Sequence, residues 1–205
     1  MEFVATMTTN VPQGTSQETI EDIRAREDAH SRELAAQGNL LRLWRPPLQP
    51  GEWRSLGLFA ARDAGQLEKV LASMPLRIWR SDEVTPLSPH PNDPAARPGA
   101  GRSAAQEAGV EFLTTFIVSI PEGTPRQEED DARAREAQRT QELAAQGHLL
   151  RLWTLPVEGH ALGLWRARDT AEMRAIVATL PLDAWMTVSI TPLTRHPSDP
   201  AALRS

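Results

Sequence analysis

The first segment of the chain alternates apolar and polar positions in the manner of a strand. Phe3, Ala5 and Met7 recur at every second residue, and this period places them on one face of a pleated strand. A turn follows, with a hydroxyl residue at position 15 or 16 that can cap a helix. Apolar residues then recur with helical spacing to about Gln37, and Gly38 is a helix terminator. The segment therefore predicts a strand followed by a long helix.

Four further elements complete the pattern. Apolar residues predict strands over 40–46 and 53–61, a second helix over about 64–73 that Asp63 caps, and a last strand over 78–87. The predicted order is β-α-β-β-α-β, which is the ferredoxin-like arrangement. Such a unit is an α+β fold with its helices on one face of an antiparallel sheet, so the other face needs a cover.

The whole pattern occurs twice. Residues 24–45 read RAREDAHSRELAAQGNLLRLWR, and residues 133–154 read RAREAQRTQELAAQGHLLRLWT. Both copies also end in TPL, HP and DPAA, at 85–96 and 191–202. Self-similarity of this extent predicts a tandem duplication of one structural unit.

The duplication sets the expected domain organisation. The predicted bounds are 1–92 for the first unit, 93–109 for a flexible linker and 110–205 for the second unit. The linker is rich in Pro, Gly and Ala and has no periodicity. It is long enough for each unit to cover the bare sheet face of the other. We therefore expect two ferredoxin-like units packed sheet to sheet as a pseudo-dimer.

Composition narrows the possible functions. The formal net charge is −5, so no basic surface for nucleic acid or an anionic membrane is expected. The chain has no cysteine, which excludes disulfides and thiolate metal sites. Its N-terminal residues lack the pattern of a signal peptide, and no apolar run reaches the ~20 residues of a membrane span. A cytoplasmic protein is the default expectation.

One carboxylate lies on the predicted buried face of the long helix. Glu27 is four residues after Ile23 and seven before Leu34, so all three share one stripe. Glu136 holds the same place in the second copy. A carboxylate in such a position is costly unless it is paired or protonated, and burial that raises its pKa suits a general base or acid. The alternative is a structural ion pair with Arg45 or another arginine, and the spacing leaves both open.

Other polar and aromatic residues near this stripe are candidates for ligand contact. His30 lies one turn beyond Glu27, and Arg45 ends the following strand on the face of Leu43. Arg45 can hold a substrate carboxylate or be a surface residue, and the second copy has Thr154 there. Trp44 is a further candidate, although tryptophans are more typical of cores and interfaces.

The two histidines of the closing turns have a simpler interpretation. His90 and His196 each stand in a proline-rich HP turn with no second ligand at metal-binding spacing. They are interpreted as turn residues, and no metal site is expected.

Several of these motifs together resemble the muconolactone isomerase family. They are the strand and helix with Glu27 eleven residues before Gly38, the LWR strand, the second helix ending in a proline-leucine pair, and the TPL..HP turn. The resemblance covers residues 2–92 and 111–198. It implies ferredoxin-like subunits paired face to face as a dimeric α/β barrel, often in larger rings, so a homo-oligomer is possible. It also implies cofactor-free movement of a proton within an unsaturated lactone acid, and some relatives dehalogenate chlorinated lactones.

The resemblance carries over to particular residues. The family's helix glutamate falls on Glu27 and Glu136, and its LWR arginine falls on Arg45 alone. Its third strand has an aromatic and an amide or hydroxyl side chain that face the ligand, which puts Trp53 and Ser55 among the substrate contacts. The family's LPLFPYM segment reads MPLRIWR here, at 74–80. These departures fall at the pocket wall and mouth, so muconolactone itself does not follow as the substrate.

Two functions from different classes are expected. The leading hypothesis is a cofactor-independent isomerase, or a cyclase, that moves a proton on a small unsaturated lactone- or enol-type substrate. Glu27 would be its base and Arg45 would hold a carboxylate or an enolate. The rival is a non-catalytic small-ligand-binding or assembly module. Because only the first copy has His30 and Arg45 beside its glutamate, that copy is expected to hold the competent site.

Overall fold

A computed structural model of the chain describes residues 1–96 and 109–201. The strands are β1 Glu2–Thr9, β2 Leu40–Arg45, β3 Arg54–Ala60, β4 Arg80–Pro89, β5 Val110–Val118, β6 Leu149–Thr154, β7 His160–Ala167 and β8 Met186–Arg195. The α-helices are α1 Gln17–Ala36, α2 Ala64–Ser73, α3 Arg126–Ala145 and α4 Thr170–Val177. The order β-α-β-β-α-β therefore occurs twice, and the predicted α+β class with two ferredoxin-like units is confirmed.

Each repeat forms an antiparallel four-stranded sheet with the same internal order. In the first, β1 pairs with β3 and β4, and β2 pairs with β3. In the second, β5 pairs with β7 and β8, and β6 pairs with β7. The first core lies between the sheet and its two helices, where Phe3 and Phe59 of the sheet are buried with Leu34 of α1 and Leu71 of α2.

The compact units differ from the repeats at their ends. Unit 1 consists of residues 1–87 together with 194–205, and unit 2 consists of residues 88–193. Each unit thus contains the tail that follows the other repeat. In unit 1, Thr194 and Arg195 pair with the end of β2. The predicted bounds of 1–92 and 110–205 follow the sequence repeats. The compact units differ from them because the tail after each repeat belongs to the other unit.

The start of the predicted linker is also revised. Asp93, its first residue, is 2% exposed, and its carboxylate accepts hydrogen bonds from Arg151 at 3.3 Å and from the Leu152 amide at 3.1 Å. Pro94–Ala96 forms a short 3-10 helix. These residues are structural parts of unit 2, and the rest of the predicted linker, 97–108, lies outside the described residues.

The ends of α1 follow the sequence signals closely. Ser16 is the N-cap, and its hydroxyl accepts a hydrogen bond from the Thr19 amide. Gly38 has φ +76, and the Asn39 amide bonds back to the Leu34 carbonyl at 2.8 Å, which is the geometry of a Schellman stop. The predicted last strand of unit 1 begins later than expected. Residues Pro75–Trp79 form a 3-10 helix instead, since a proline at its first position favours a helical turn.

No helix in the described parts of the chain is long and apolar enough to cross a membrane.

Candidate functional site

Unit 1 contains a cavity of about 280 Å³ beside α1. Its polar and charged walls come from Thr9, Arg24, Glu27, Asp28, Ser31, Arg45, Ser55, Arg80 and His196. Its apolar walls come from Met7, Leu43, Trp53, Met74, Leu76 and Pro197. The cavity is large enough for a small organic acid and is lined by groups that carry both charges.

Glu27 lies in the wall of this cavity, on the buried stripe that the sequence predicts. The buried residues of α1 are Ile23, Glu27, Ser31 and Leu34. One Glu27 carboxylate oxygen accepts a hydrogen bond from the Leu76 amide at 2.8 Å, and the other accepts one from Arg80 Nη1 at 3.1 Å. The partner arginine is thus Arg80 and not Arg45. Each carboxylate oxygen thus has one such partner, and the residue lines the cavity.

The environment of Glu27 favours a carboxyl group that can exchange its proton. Burial raises the pKa of Glu27 above its ordinary value, while the Leu76 hydrogen bond and the charges of Arg80 and His30 lower it in part. The net pKa stays above the ordinary value. A carboxyl group whose pKa is raised in this way is better suited to take up and return a proton than an ordinary surface carboxylate.

Arg45, Trp53 and Ser55, the candidate ligand contacts, all line the cavity. Arg45 is exposed, and within residues 1–96 and 109–201 it forms no ion pair. Arg24 belongs to the same lining, and its guanidinium stacks over Trp53 at 4.3 Å from the ring centroid. Two arginines at the cavity therefore leave positive charge available for an anionic ligand.

His196 lines the cavity of unit 1 but is not among the residues that the sequence predicts there. The turn predicted around it is present. Its Nδ1 accepts a hydrogen bond from the Ser198 amide at 3.1 Å, so the neutral ring carries its proton on Nε2. Burial, with a further contribution from Arg45, lowers the pKa of His196 to about 4. The ring is therefore a neutral hydrogen-bond donor at pH 7.

Trp44 and His30 do not take the places expected of them. Trp44 is 2% exposed, lies outside the cavity lining and stacks against Arg42 at 4.7 Å, because it points to the opposite face of β2 from Arg45. His30 bridges the two helices of unit 1 instead. Its Nδ1 lies 3.0 Å from Glu33 and its Nε2 lies 2.8 Å from the Ser73 hydroxyl.

Unit 2 shows what the His30 bridge does. There Arg139 donates to Thr179 at 3.0 Å and to Glu142 at 3.0 Å, which are the repeat counterparts of Ser73 and Glu33. Arginine and histidine thus make the same tie between helices. We expect His30→Arg to keep kcat/KM within about threefold of wild type, since surface changes of this kind are nearly neutral. Steady-state kinetics tests this, and a loss of two orders of magnitude would return His30 to the site.

The carboxylate of unit 2 has a different setting. Glu136 accepts a hydrogen bond from the Leu182 amide at 3.0 Å. Burial raises its pKa, the Leu182 amide lowers it, and the charge of Asp183 raises it. Four charged or polar cavity residues of unit 1 have different counterparts in repeat 2: Asp28 aligns with Ala137, Arg45 with Thr154, Ser55 with Ala161 and Arg80 with Met186. The chemistry of the two glutamates is therefore not equivalent.

The described residues offer no group of three or more His, Asp or Glu side chains that could hold a metal ion. The groups at the cavity are instead suited to proton transfer and to binding an anion.

Comparison with known proteins gives the family. The family model described as Muconolactone delta-isomerase matches residues 1–93 and again 110–199. Muconolactone Delta-isomerase 1 of Acinetobacter lwoffii is 35% identical over 87 residues, which are 42% of this chain and 91% of that protein. The Muconolactone Delta-isomerase of Cupriavidus pinatubonensis is 29% identical over 87 residues, 42% of this chain and 95% of that protein.

Solved structures support the fold alone. A heme-binding protein from Thermus thermophilus has a TM-score of 0.59 at 13% identity, over 100% of this chain and 94% of that one. A chlorite dismutase from Candidatus Nitrospira defluvii has a TM-score of 0.59 at 8% identity, over 94% of this chain and 91% of that one. With both repeats matched by one family model, the chain belongs to the muconolactone delta-isomerase family as a tandem duplication of its domain.

Proposed function

We propose that this chain is a cofactor-independent isomerase that moves a proton within a small unsaturated lactone- or enol-type substrate bearing a carboxylate. The observation that carries the proposal is the position of Glu27. Its carboxylate has a raised pKa and lines the same cavity as the exposed Arg45. The relatives named above act as isomerases by their names, and the site offers a base and an anion-binding group for the same class of reaction.

The proposed reaction needs one residue to move one proton twice. The Glu27 carboxylate removes a proton from a carbon conjugated with a carbonyl, and the C–H electron pair moves into the conjugated system as a dienolate. The protonated Glu27 then returns the proton to a different carbon, and the electrons return to form the shifted double bond. Atoms and charge balance within the substrate. A cyclisation of the same class would have the dienolate carbon attack a second carbonyl of the substrate, whose C=O π electrons become an alkoxide that takes the proton from Glu27.

The positive charges at the cavity fit the two anionic parts of such a substrate. Arg45 can hold the carboxylate through a pair of charge-assisted hydrogen bonds, with Arg24 in the same lining. Developing charge on the carbonyl oxygen needs a donor, and the neutral His196 ring offers its Nε2 proton from the cavity wall. A neutral imidazole in this role donates a hydrogen bond without transferring its own proton.

The direct test is turnover of an unsaturated five-membered lactone acid in D₂O, followed by proton NMR. Isomerisation should move the double bond, and deuterium should enter at the carbon that receives the proton in proportion to how often protonated Glu27 exchanges with solvent before it returns its proton. A series with and without the carboxylate should show that the acid is preferred. Binding of such compounds without any exchange or isomerisation would contradict the proposal.

Removing the guanidinium of Arg45 should weaken substrate binding more than turnover. We expect Arg45→Ala to lower kcat/KM by about 10- to 100-fold, because a charged hydrogen bond contributes about 1.5–3 kcal/mol, with most of the change in KM. Arg45→Lys should recover part of the loss, since it keeps the charge without the fork. Arg62→Ala, on an exposed side chain outside the cavity lining, is the matched control. An unchanged KM in Arg45→Ala would place the carboxylate elsewhere.

The alternative is a non-catalytic ligand-binding module, and one observation favours it. Glu27 is 8% exposed and paired with an arginine whose side chain is 2% exposed, which a purely structural residue would also show. Under this alternative, Glu27→Gln would leave ligand affinity unchanged and no substrate would turn over.

A further inference from the structure

Arg80 is the most enclosed cation at the cavity. Its side chain is 2% exposed, and Asp82 holds it from two sides, with Nε to Oδ1 at 2.6 Å and Nη2 to Oδ2 at 3.1 Å. Nη2 also donates to the Leu71 carbonyl at 3.3 Å, and Nη1 donates to Glu27 at 3.1 Å. The guanidinium is therefore committed to protein partners, and it has little capacity left to bind the carboxylate of a substrate.

Asp82 is itself fixed from outside. Arg77 Nη1 donates to its Oδ2 at 3.1 Å, and Arg77 Nη2 donates to Glu68 at 3.0 Å. The chain of charges runs from Glu27 in the cavity wall to Glu68, which is 61% exposed. Because the charges alternate in sign along this chain, each guanidinium has a carboxylate on either side. Arg80 can leave Glu27 only by breaking its buried pair with Asp82.

Two hydrogen bonds set the direction of the Glu27 carboxylate, and the charge of Arg80 favours its ionised form. The Leu76 amide fixes one oxygen and Arg80 fixes the other, so the carboxyl plane cannot rotate and one lone pair of each oxygen is left for a substrate. Arg80 is also the largest side-chain contribution that opposes the rise in the Glu27 pKa caused by burial. Without it, a carboxyl this buried would hold its proton to higher pH and could not act as a base there.

The other charged groups around Glu27 do not duplicate this effect. On its own helix, His30 lowers and Asp28 raises the pKa of Glu27, and Asp28 is engaged by the Ser198 hydroxyl at 2.7 Å. From the other elements, Arg45 of β2 and the neutral His196 of the tail share the cavity but do not bond to the carboxylate.

Unit 2 has neither the arginine nor the aspartate of this pair. Met186 stands where Arg80 stands in unit 1, and Val188 stands where Asp82 stands. Within residues 1–96 and 109–201, Glu136 accepts a hydrogen bond from the Leu182 amide alone, and the nearby charge of Asp183 raises its pKa. The arginine-aspartate pair is therefore a feature of unit 1 that the shared domain does not require.

We propose that Arg80, clamped by Asp82, is a positioning residue that holds the Glu27 carboxylate ionised and oriented toward the cavity, and so makes unit 1 the base-competent unit. The inference rests on the proposed function only for the kinetic part of its test, because the effect of Arg80 on the ionisation of Glu27 can be measured without turnover. Arg80 acts through Glu27 and does not contact the substrate.

The test uses the residues of unit 2 as the replacement. Arg80→Met with Asp82→Val copies a pair that the same fold already accommodates, so it avoids leaving a buried aspartate next to an apolar side chain. The ionisation of Glu27 is followed by ¹³C NMR of the side-chain carboxyl between pH 4 and 9, with the signal assigned by Glu27→Gln. We expect the midpoint to move upward. The acidic limb of the pH profile of kcat/KM should move upward with the Glu27 midpoint. The pH-independent value of kcat/KM should fall by about 10- to 100-fold, because the carboxylate is no longer oriented.

Further variants separate the possible outcomes. Arg80→Lys keeps the charge, so the Glu27 midpoint in this variant should stay near that of wild type. The plateau of kcat/KM should recover only in part, because lysine lacks the guanidinium fork. If the variant with Arg80→Met and Asp82→Val does not fold, the reverse exchange in unit 2 takes its place. Met186→Arg with Val188→Asp should lower the titration midpoint of Glu136. An unmoved Glu27 midpoint in a folded double variant, or an unmoved Glu136 midpoint in the reverse exchange, would overturn the proposal. The carboxyl titration gives this answer even where no turnover is found, so failure of the isomerase proposal is a separate result.

Discussion

Replacing Glu27 with glutamine is expected to lower kcat/KM by about 10²- to 10⁴-fold, the usual contribution of one general base. Glutamine keeps the shape and can still accept a hydrogen bond from Arg80 or the Leu76 amide, so the fold should survive. The same change at Glu136 should leave kcat/KM within about threefold of wild type, because unit 2 has Thr154 and Met186 in place of two cavity arginines. Steady-state kinetics on matched preparations makes the comparison. An inactive Glu136→Gln beside an active Glu27→Gln would show that the units are assigned in reverse.

The pH dependence gives the Glu27 prediction a second readout. A base must be ionised, so kcat/KM should fall as pH falls through the raised pKa of Glu27. His196, with a pKa of about 4, stays neutral through this range and should not shape the acidic limb. The expected profile therefore has one acidic limb that lies above the ordinary carboxyl range.

Stability should respond to pH in the opposite sense to activity. Because the pKa of Glu27 is higher in the folded than in the unfolded chain, the folded chain binds the proton more tightly. The stabilisation is present at low pH and is lost as pH rises from the ordinary value of about 4.5 through the raised value. Glu27→Gln removes this dependence. Thermal unfolding between pH 4 and 8 should therefore show a smaller decline for the variant than for wild type.

The parts of the site that the sequence predicts are those set by short-range periodicity. The three-to-four-residue spacing of Ile23, Glu27 and Leu34 places the carboxylate on the core face of α1 whatever the rest of the chain does. The alternation along β2 separates Arg45 from Trp44 for the same reason. These local rules hold because one helix or one strand determines them.

The residues that the sequence interpretation missed depend on contacts between distant elements. Arg80 follows a 3-10 helix that delays the start of β4, so its partner 53 residues earlier in the chain could not be found by periodicity. The departure of 74–80 from the family pattern was the available signal. His196 belongs to repeat 2 by sequence and to unit 1 by structure, so assigning each motif to its own repeat removed it from the site.

The two tails are anchored in the same way in the two units. Each tail supplies an equivalent anchor, since the carboxylate of Asp199 in unit 1 and that of Asp93 in unit 2 both accept from an arginine and from a strand amide. The anchors are the same in both repeats, whereas the cavity residues are not. The two units therefore share their buried anchors, whereas Arg45 and Arg80 at the cavity occur in unit 1 alone.

Removing the buried aspartate that anchors the tail of unit 1 should lower both stability and activity. Removing the equivalent aspartate of unit 2 should lower stability alone. Asp199 is 0% exposed and accepts from Arg42 at 3.1 Å and from the Leu43 amide at 3.1 Å. Breaking a buried pair of this kind costs about 3–5 kcal/mol, so Asp199→Ala should lower the unfolding midpoint. It should also lower kcat/KM by more than about tenfold at temperatures where the protein stays folded, since the tail that carries His196 into the cavity loses its main tie.

Asp93→Ala is the matched control, because it removes the equivalent anchor of unit 2. Asp93 is 2% exposed and accepts from Arg151 at 3.3 Å and from the Leu152 amide at 3.1 Å, so the loss of stability should be of similar size. The histidine of that tail, His90, lies outside the cavity lining of unit 1, so kcat/KM should change little. Thermal unfolding and kinetics on both variants decide the matter. Equal losses of activity in the two would mean that the tail of unit 1 supports the fold alone, and that His196 has no part in the reaction.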